Sequence, residues 1–165
     1  MNLIDLFAII ILFFSLVGGL LEGAVKKFFS LAILLAAIPI AGAYYPLAAI
    51  ILSFLPGSNW ENFIGFFAAL AVASLILHLV LFLPSRIIRQ LWRGGALYRL
   101  LGGLLNLLNT GISLVVFAII VQVYPVFDWL TTAVAESDVL AWLAQRLVFV
   151  PLLLPEALRN LDFFV

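Results

Sequence analysis

Four stretches of this chain run for about eighteen to twenty-five residues with scarcely a charge, and nothing else constrains its fold as tightly. They are "LIDLFAIIILFFSLVGGLL", "FFSLAILLAAIPIAGAYY", "FIGFFAALAVASLILHLVLFL" and "LLGGLLNLLNTGISLVVFAIIVQVY". A helix rises about 1.5 Å per residue, so crossing a hydrocarbon layer of about 30 Å takes about 20 residues of this kind. The chain is 67% hydrophobic and 10% charged, where a soluble domain is about 45–50% and about 25%. A water-soluble core of this size could not hide so much apolar surface. Lipid is the solvent for most of it. The expected fold is all-α and integral to the membrane, with about four transmembrane helices and an amphipathic C-terminal segment at the interface.

The breaks between runs set the expected boundaries. The first span covers Leu3–Leu21, and its flank lacks the basic start of a secretory signal, so it reads as a retained span. The second begins near Phe28 and ends near Tyr44–Tyr45, an aromatic pair suited to the headgroup level. Pro39 and Pro46 punctuate that region, which leaves Leu47–Leu55 as a short interfacial or re-entrant piece. "PGSNWEN", residues 56–62, reads as a turn. The third span, Phe63–Leu83, stops at Pro84. A basic amphipathic connector, residues 85–99, carries Arg86, Arg89, Arg93 and Arg99. The fourth span, Leu100–Tyr124, is closed by Pro125. Residues 1–125 thus form a four-span membrane domain.

Residues 126–165 form an amphipathic tail, expected at the outer membrane–water interface. Within it Ser137 or Asp138 can cap a helix. Leu140, Leu143, Ala144 and Leu147 recur on one face, with Gln145 and Arg146 off it. Pro151 and Pro155 bar the remainder from spanning.

Charge distribution orients the spans. With four crossings, residues 22–27 and 84–99 share one side, which holds six basic residues against Glu22 alone. The other side holds Arg146 and Arg159 against Asp5, Glu61, Asp128, Glu136, Asp138, Glu156 and Asp162. Lysine and arginine stay in the cytoplasm. Both termini are therefore expected outside the cytoplasm, in the periplasm of a Gram-negative cell. Net charge is zero, which gives no case for nucleic acid. The chain has no cysteine, so disulfides, thiolate metal sites and cysteine nucleophiles are excluded.

Polar residues inside the runs are the candidates for function. Gly19 and Gly23 form a GxxxG pair that lets helices approach closely, or that merely breaks the first span at the surface. Glu22 and Lys26 stand four apart, with Lys27 adjacent, as a working site or as a surface turn. Gly102, Asn106, Asn109 and Ser113 share one arc of the fourth span, with Arg99 at its mouth and Thr110 alongside. Lipid satisfies no amide, so the arc must face protein or water. It is either helix–helix glue or the lining of a small solute path. His78 is the only histidine. No acid lies near it in its span, so a neutral imidazole bonded to Ser74 or a carbonyl competes with a proton relay.

The opening segment resembles that of the colicin V production protein (CvpA) family, small bacterial inner-membrane proteins. Members open with Asp near residue five, then an apolar span, then a pattern like G-x-x-R-G-x-x-R-E-x-x-S. Asp5, Gly19, Gly23, Lys26 and Ser30 stand in register. Glu22 replaces the usual Arg and Lys27 the usual Glu, a paired reversal of sign that implies the two positions feel each other. Entering the last span, the family has a run like (N/D)-R-L-L-G-G-L-L-G-L-L-(K/R)-G. Here "LYRLLGGLLNLLNTG" keeps Arg99, Gly102 and Gly103 and puts Tyr98 before the Arg. Asn106 and Asn109 occupy Gly and Lys/Arg positions, and the last glycine comes one place late as Gly111. Glu136–Ser137 falls where the family often has a serine.

The resemblance implies a non-enzymatic part in colicin V production or secretion and in envelope upkeep. Rival readings are a small oligomeric transporter or channel, and a structural subunit of a larger membrane complex. No HExxH, serine–histidine–acid set or phosphate loop is present, so no enzyme, cofactor or metal is expected. Expected partners are the bilayer, with anionic lipid headgroups at the arginine-rich cytoplasmic loop, and a second copy or another membrane protein.

Overall fold

The computed structural model of the chain describes residues 2–54, 57–91 and 94–158. Four long helices carry it: α1 (Leu3–Glu22), α2 (Ala24–Ile51), α3 (Ser58–Leu91) and α4 (Ala96–Val123). Each is long and apolar enough to cross a membrane. Three short helices follow, α5 (Asp128–Ala135), α6 (Asp138–Arg146) and α7 (Val150–Leu153), then a 3-10 turn at Glu156–Leu158. No strand occurs among the described residues. This is a multi-pass membrane fold.

The helices outrun their expected limits. α2 starts at Ala24 rather than Phe28 and continues through Pro39 and Pro46 to Ile51, so 47–51 is its last turn and not a separate interfacial piece. α3 begins at Ser58, inside the expected turn, and passes Pro84 to Leu91. The connector is correspondingly short: Arg86 and Arg89 fall in α3 and Arg99 in α4, while Arg93 lies outside the described residues, as do Arg159 and Asp162. A proline in a helix interior costs about 3 kcal/mol. Leaving the helix in lipid would strand several backbone groups at several kcal/mol each. Continuation wins.

One residue, Gly23, separates α1 from α2, with φ at +84°. So short a link cannot fold α2 back along α1. Instead α4 packs between them, and α3 lies outside α2, giving the lateral order α1–α4–α2–α3. The bundle has two ends. At the corner end lie Gly23, the end of α3 and the start of α4. At the tail end lie the N-terminus, the α2–α3 turn and everything after α4.

The tail seals its end from within. α6 buries Leu140, Leu143 and Ala144, followed by Leu147, in one core with Ile112, Val115 and Ile119 of α4. Gln145 and Arg146 remain exposed. Leu147 and Leu143 lie against Gly111, twelve residues before Val123 and so about 18 Å down α4. The tail's apolar side is thus wedged among the spans.

Candidate functional site

The glycine motifs of α1 and α4, some eighty residues apart in sequence, meet as one crossing. A Cβ at Gly19 would collide with the Gly102 carbonyl oxygen and would stand 2.8 Å from Gly103 Cα. A Cβ at Gly102 would collide with the Gly19 carbonyl oxygen. At Gly23 a side chain would run into the Tyr98 ring and would also face the strain of a positive φ. Only glycine lets these backbones touch.

Polar bonds close the seam one turn further along. The Asn106 amide Nδ2 donates to the Ser15 carbonyl at 2.5 Å, and the Ser15 hydroxyl lies 2.8 Å from the Asn106 carbonyl and 2.6 Å from the Thr110 hydroxyl. Ser15 is a partner the sequence reading missed. It is the lone polar side chain between Asp5 and the glycines, which is the signal that could have marked it. The arc itself divides. Gly102 and Asn106 serve the seam, whereas Ser113 is exposed and bonds back to the Asn109 carbonyl at 3.0 Å within α4. The side-chain oxygen of Asn109 is buried with no hydrogen-bond partner among the described residues.

Asp5 is fully buried at the tail end. One carboxylate oxygen accepts from the Ser137 hydroxyl at 2.6 Å and from the Val139 amide at 3.0 Å; the other accepts from the Asn2 amide at 2.7 Å. The Ser137 hydroxyl in turn accepts from the Leu140 amide, capping α6. A carboxylate from α1 therefore sits on the positive end of α6, a favourable placement for negative charge. Asn2 completes the joint by accepting from the Asp5 amide and donating to the Ala133 carbonyl. The Tyr124 hydroxyl donates to Tyr45 at 2.9 Å nearby, so Tyr45 lies within the bundle rather than ending a span.

At the corner, one Glu22 carboxylate oxygen lies 2.8 Å from the Lys26 ammonium and 3.0 Å from that of Lys27. The two positions whose signs are exchanged relative to the family pattern are an ion pair. Lys26 and Lys27 also border a cavity of about 340 Å³ between the start of α2 and the end of α3, together with Ser30, His78 and Arg86. His78 makes no bond to Ser74 or to any other described residue and is exposed on the flank of α3. Across the cavity from it stand Ser30 and Ile33 of α2, and neither is bonded to it.

The family model described as "Colicin V production protein" matches residues 4–147 of the chain. No curated protein and no solved structure matches it.

Proposed function

The chain belongs to the colicin V production protein family, and from that membership we propose a non-enzymatic, multi-pass protein of the bacterial inner membrane that serves colicin V production or secretion and envelope upkeep. The observation that carries this reading is the extent of the match, which takes in all four long helices and α6. The geometry supports a packing role for the α1 and α4 motifs: Gly19, Gly102, Gly103 and Asn106 are spent on one helix contact. The six-to-one basic excess of segments 22–27 and 84–99 supports a cytoplasmic corner and periplasmic termini.

The test is complementation. In a Gram-negative strain that secretes colicin V and lacks its resident family member, this chain should restore the toxin halo. A correctly inserted chain that restores none would overturn the reading. Orientation is tested with single cysteines in intact cells: exposed positions Ser58 and Glu136 should label from outside and Ser85 should not. Ser137, at 1% exposed and bonded to Asp5, would be a blind reporter.

A second reading, an oligomeric transporter or channel, draws on the unpartnered Asn109 oxygen and on Ser113, which faces outward. It predicts rapid reaction of a soluble thiol reagent with cysteines at 106, 109 and 113 in membranes. The packing reading predicts that 106 stays protected, and the two readings part on that position.

A further inference from the structure

The cleft between the start of α2 and the end of α3 plays no part in either reading above, yet three basic side chains border it. Its charges do not cancel. Lys26, Lys27 and Arg86 border it, while Glu22 is the one acid at this end among the described residues. Glu22 is already bonded to both lysines. Arg86 has no ion-pair or hydrogen-bond partner among the described residues, and neither has His78. Three fixed cations against one carboxylate leave a surplus of two positive charges.

Depth grades the chemistry. Arg86 stands eight residues beyond His78 on α3, about 12 Å along the axis. The mouth is cationic; further in, the walls are Ile33 and Leu81, with the His78 imidazole set among them. The cleft also opens sideways. His78 is exposed, and its neighbours Leu75 and Leu79 are 61% and 67% exposed on the same flank of a membrane-crossing helix. Unpaired polar groups against hydrocarbon are costly. An occupant that relieves this cost needs an anionic head at the depth of Arg86 and an apolar body leading into the bilayer.

We infer that this cleft binds the phosphate headgroup of an anionic phospholipid, gripped by Arg86, Lys26 and Lys27, with the glycerol and upper acyl region against Leu81 and Ile33. Phosphate is the chemistry recognised, and a soluble phosphate could present it too. Sideways access and apolar walls favour the lipid. The site does not depend on the toxin-related role and stands or falls separately.

The test uses the full chain in detergent, with native mass spectrometry of lipid adducts. Phosphatidylglycerol and cardiolipin should remain bound under conditions that strip phosphatidylcholine. Arg86→Gln should weaken retention about fivefold, the scale of one basic side chain at an anionic surface. Lys26→Gln with Lys27→Gln leaves Arg86 as the one basic side chain bordering the cleft, frees Glu22 of both its partners, and should weaken retention more than about tenfold. Arg99→Gln, exposed at the same end but outside the cleft, should leave retention unchanged. His78→Phe, at an exposed position that bonds to no described residue, should weaken it while leaving the melting midpoint in place, which separates lost binding from lost folding. Equal retention of phosphatidylcholine, or an Arg99→Gln loss as large as that of Arg86→Gln, would overturn the site. Displacement of bound lipid by inorganic phosphate alone would assign the cleft to a soluble anion and overturn the headgroup proposal.

Discussion

The two ends of this bundle solve the same problem in opposite ways. At the tail end a full negative charge, Asp5, is enclosed completely and given hydrogen bonds from Asn2 at one end of the chain and from Ser137 and Val139 at the start of α6. At the corner end charge is left in surplus, with two ammoniums sharing one carboxylate oxygen and Arg86 bonded to none of the described residues. A buried charge survives only when it is fully bonded. An under-bonded one persists where water or a ligand can reach it. The contrast separates a joint that fixes the fold from a surface that can take a partner.

The largest expected effect lies on the seam between these ends. Gly102→Leu forces bulk against the α1 backbone and should destabilise by about 3 kcal/mol or more, since the atoms it meets, in Gly19 and Gly23, are main-chain atoms that cannot rotate away. Loss of the folded species in an SDS-unfolding titration would show it; a fold that tolerates leucine would mean that the crossing is loose.

Asp5→Ala comes next. It leaves the Ser137 hydroxyl and the Val139 amide without their acceptor, at about 2–3 kcal/mol for charge-assisted bonds. A lower melting midpoint in detergent, with faster tryptic cleavage at Arg146, is the expected result. An unchanged midpoint would erase the distinction between the two ends.

Exchanging the corner charges should matter less. Glu22→Arg and Lys27→Glu should each cost about 1 kcal/mol or less, as an accessible ion pair does. Together they should recover the loss, because the pair is re-formed with its sign reversed. Additive effects in the double-mutant cycle would remove the coupling. Smallest of all is Asn109→Leu, which removes a buried oxygen that bonds to none of the described residues. A change under about 1 kcal/mol, towards greater stability, is expected. Clear destabilisation would show that the amide has a partner in the membrane, a second copy included.

The span count was legible because lipid makes every backbone group seek its own helix, and apolar run length reports that directly. Helix ends were less so. Prolines that break helices in water are overridden here, which is why α2 and α3 extend past Pro39, Pro46 and Pro84. The small residues of the seam could be seen on each helix, but their pairing could not. Gly19 carries no mark that says it meets Gly102 rather than a glycine of α2. The Asp5–Ser137 bond spans 132 positions, and the family-like pattern supplied both residues without joining them. His78 and Lys26 belong to different helices, and only the splay of α3 from its neighbours makes their cleft.

The order α1–α4–α2–α3 also has a consequence in time. The helix that fills the gap beside α1 is the last of the four described spans to be synthesised. Ser15 must wait for Asn106, 91 residues later, which at about 5–20 residues per second is roughly 5–18 s. Asp5 waits longer still for Ser137. During that interval a serine and a carboxylate near the start of the protein have no partners from its later half, and the glycine face of α1 lies open to any passing helix. A nascent chain stalled before α4 would carry that face uncovered.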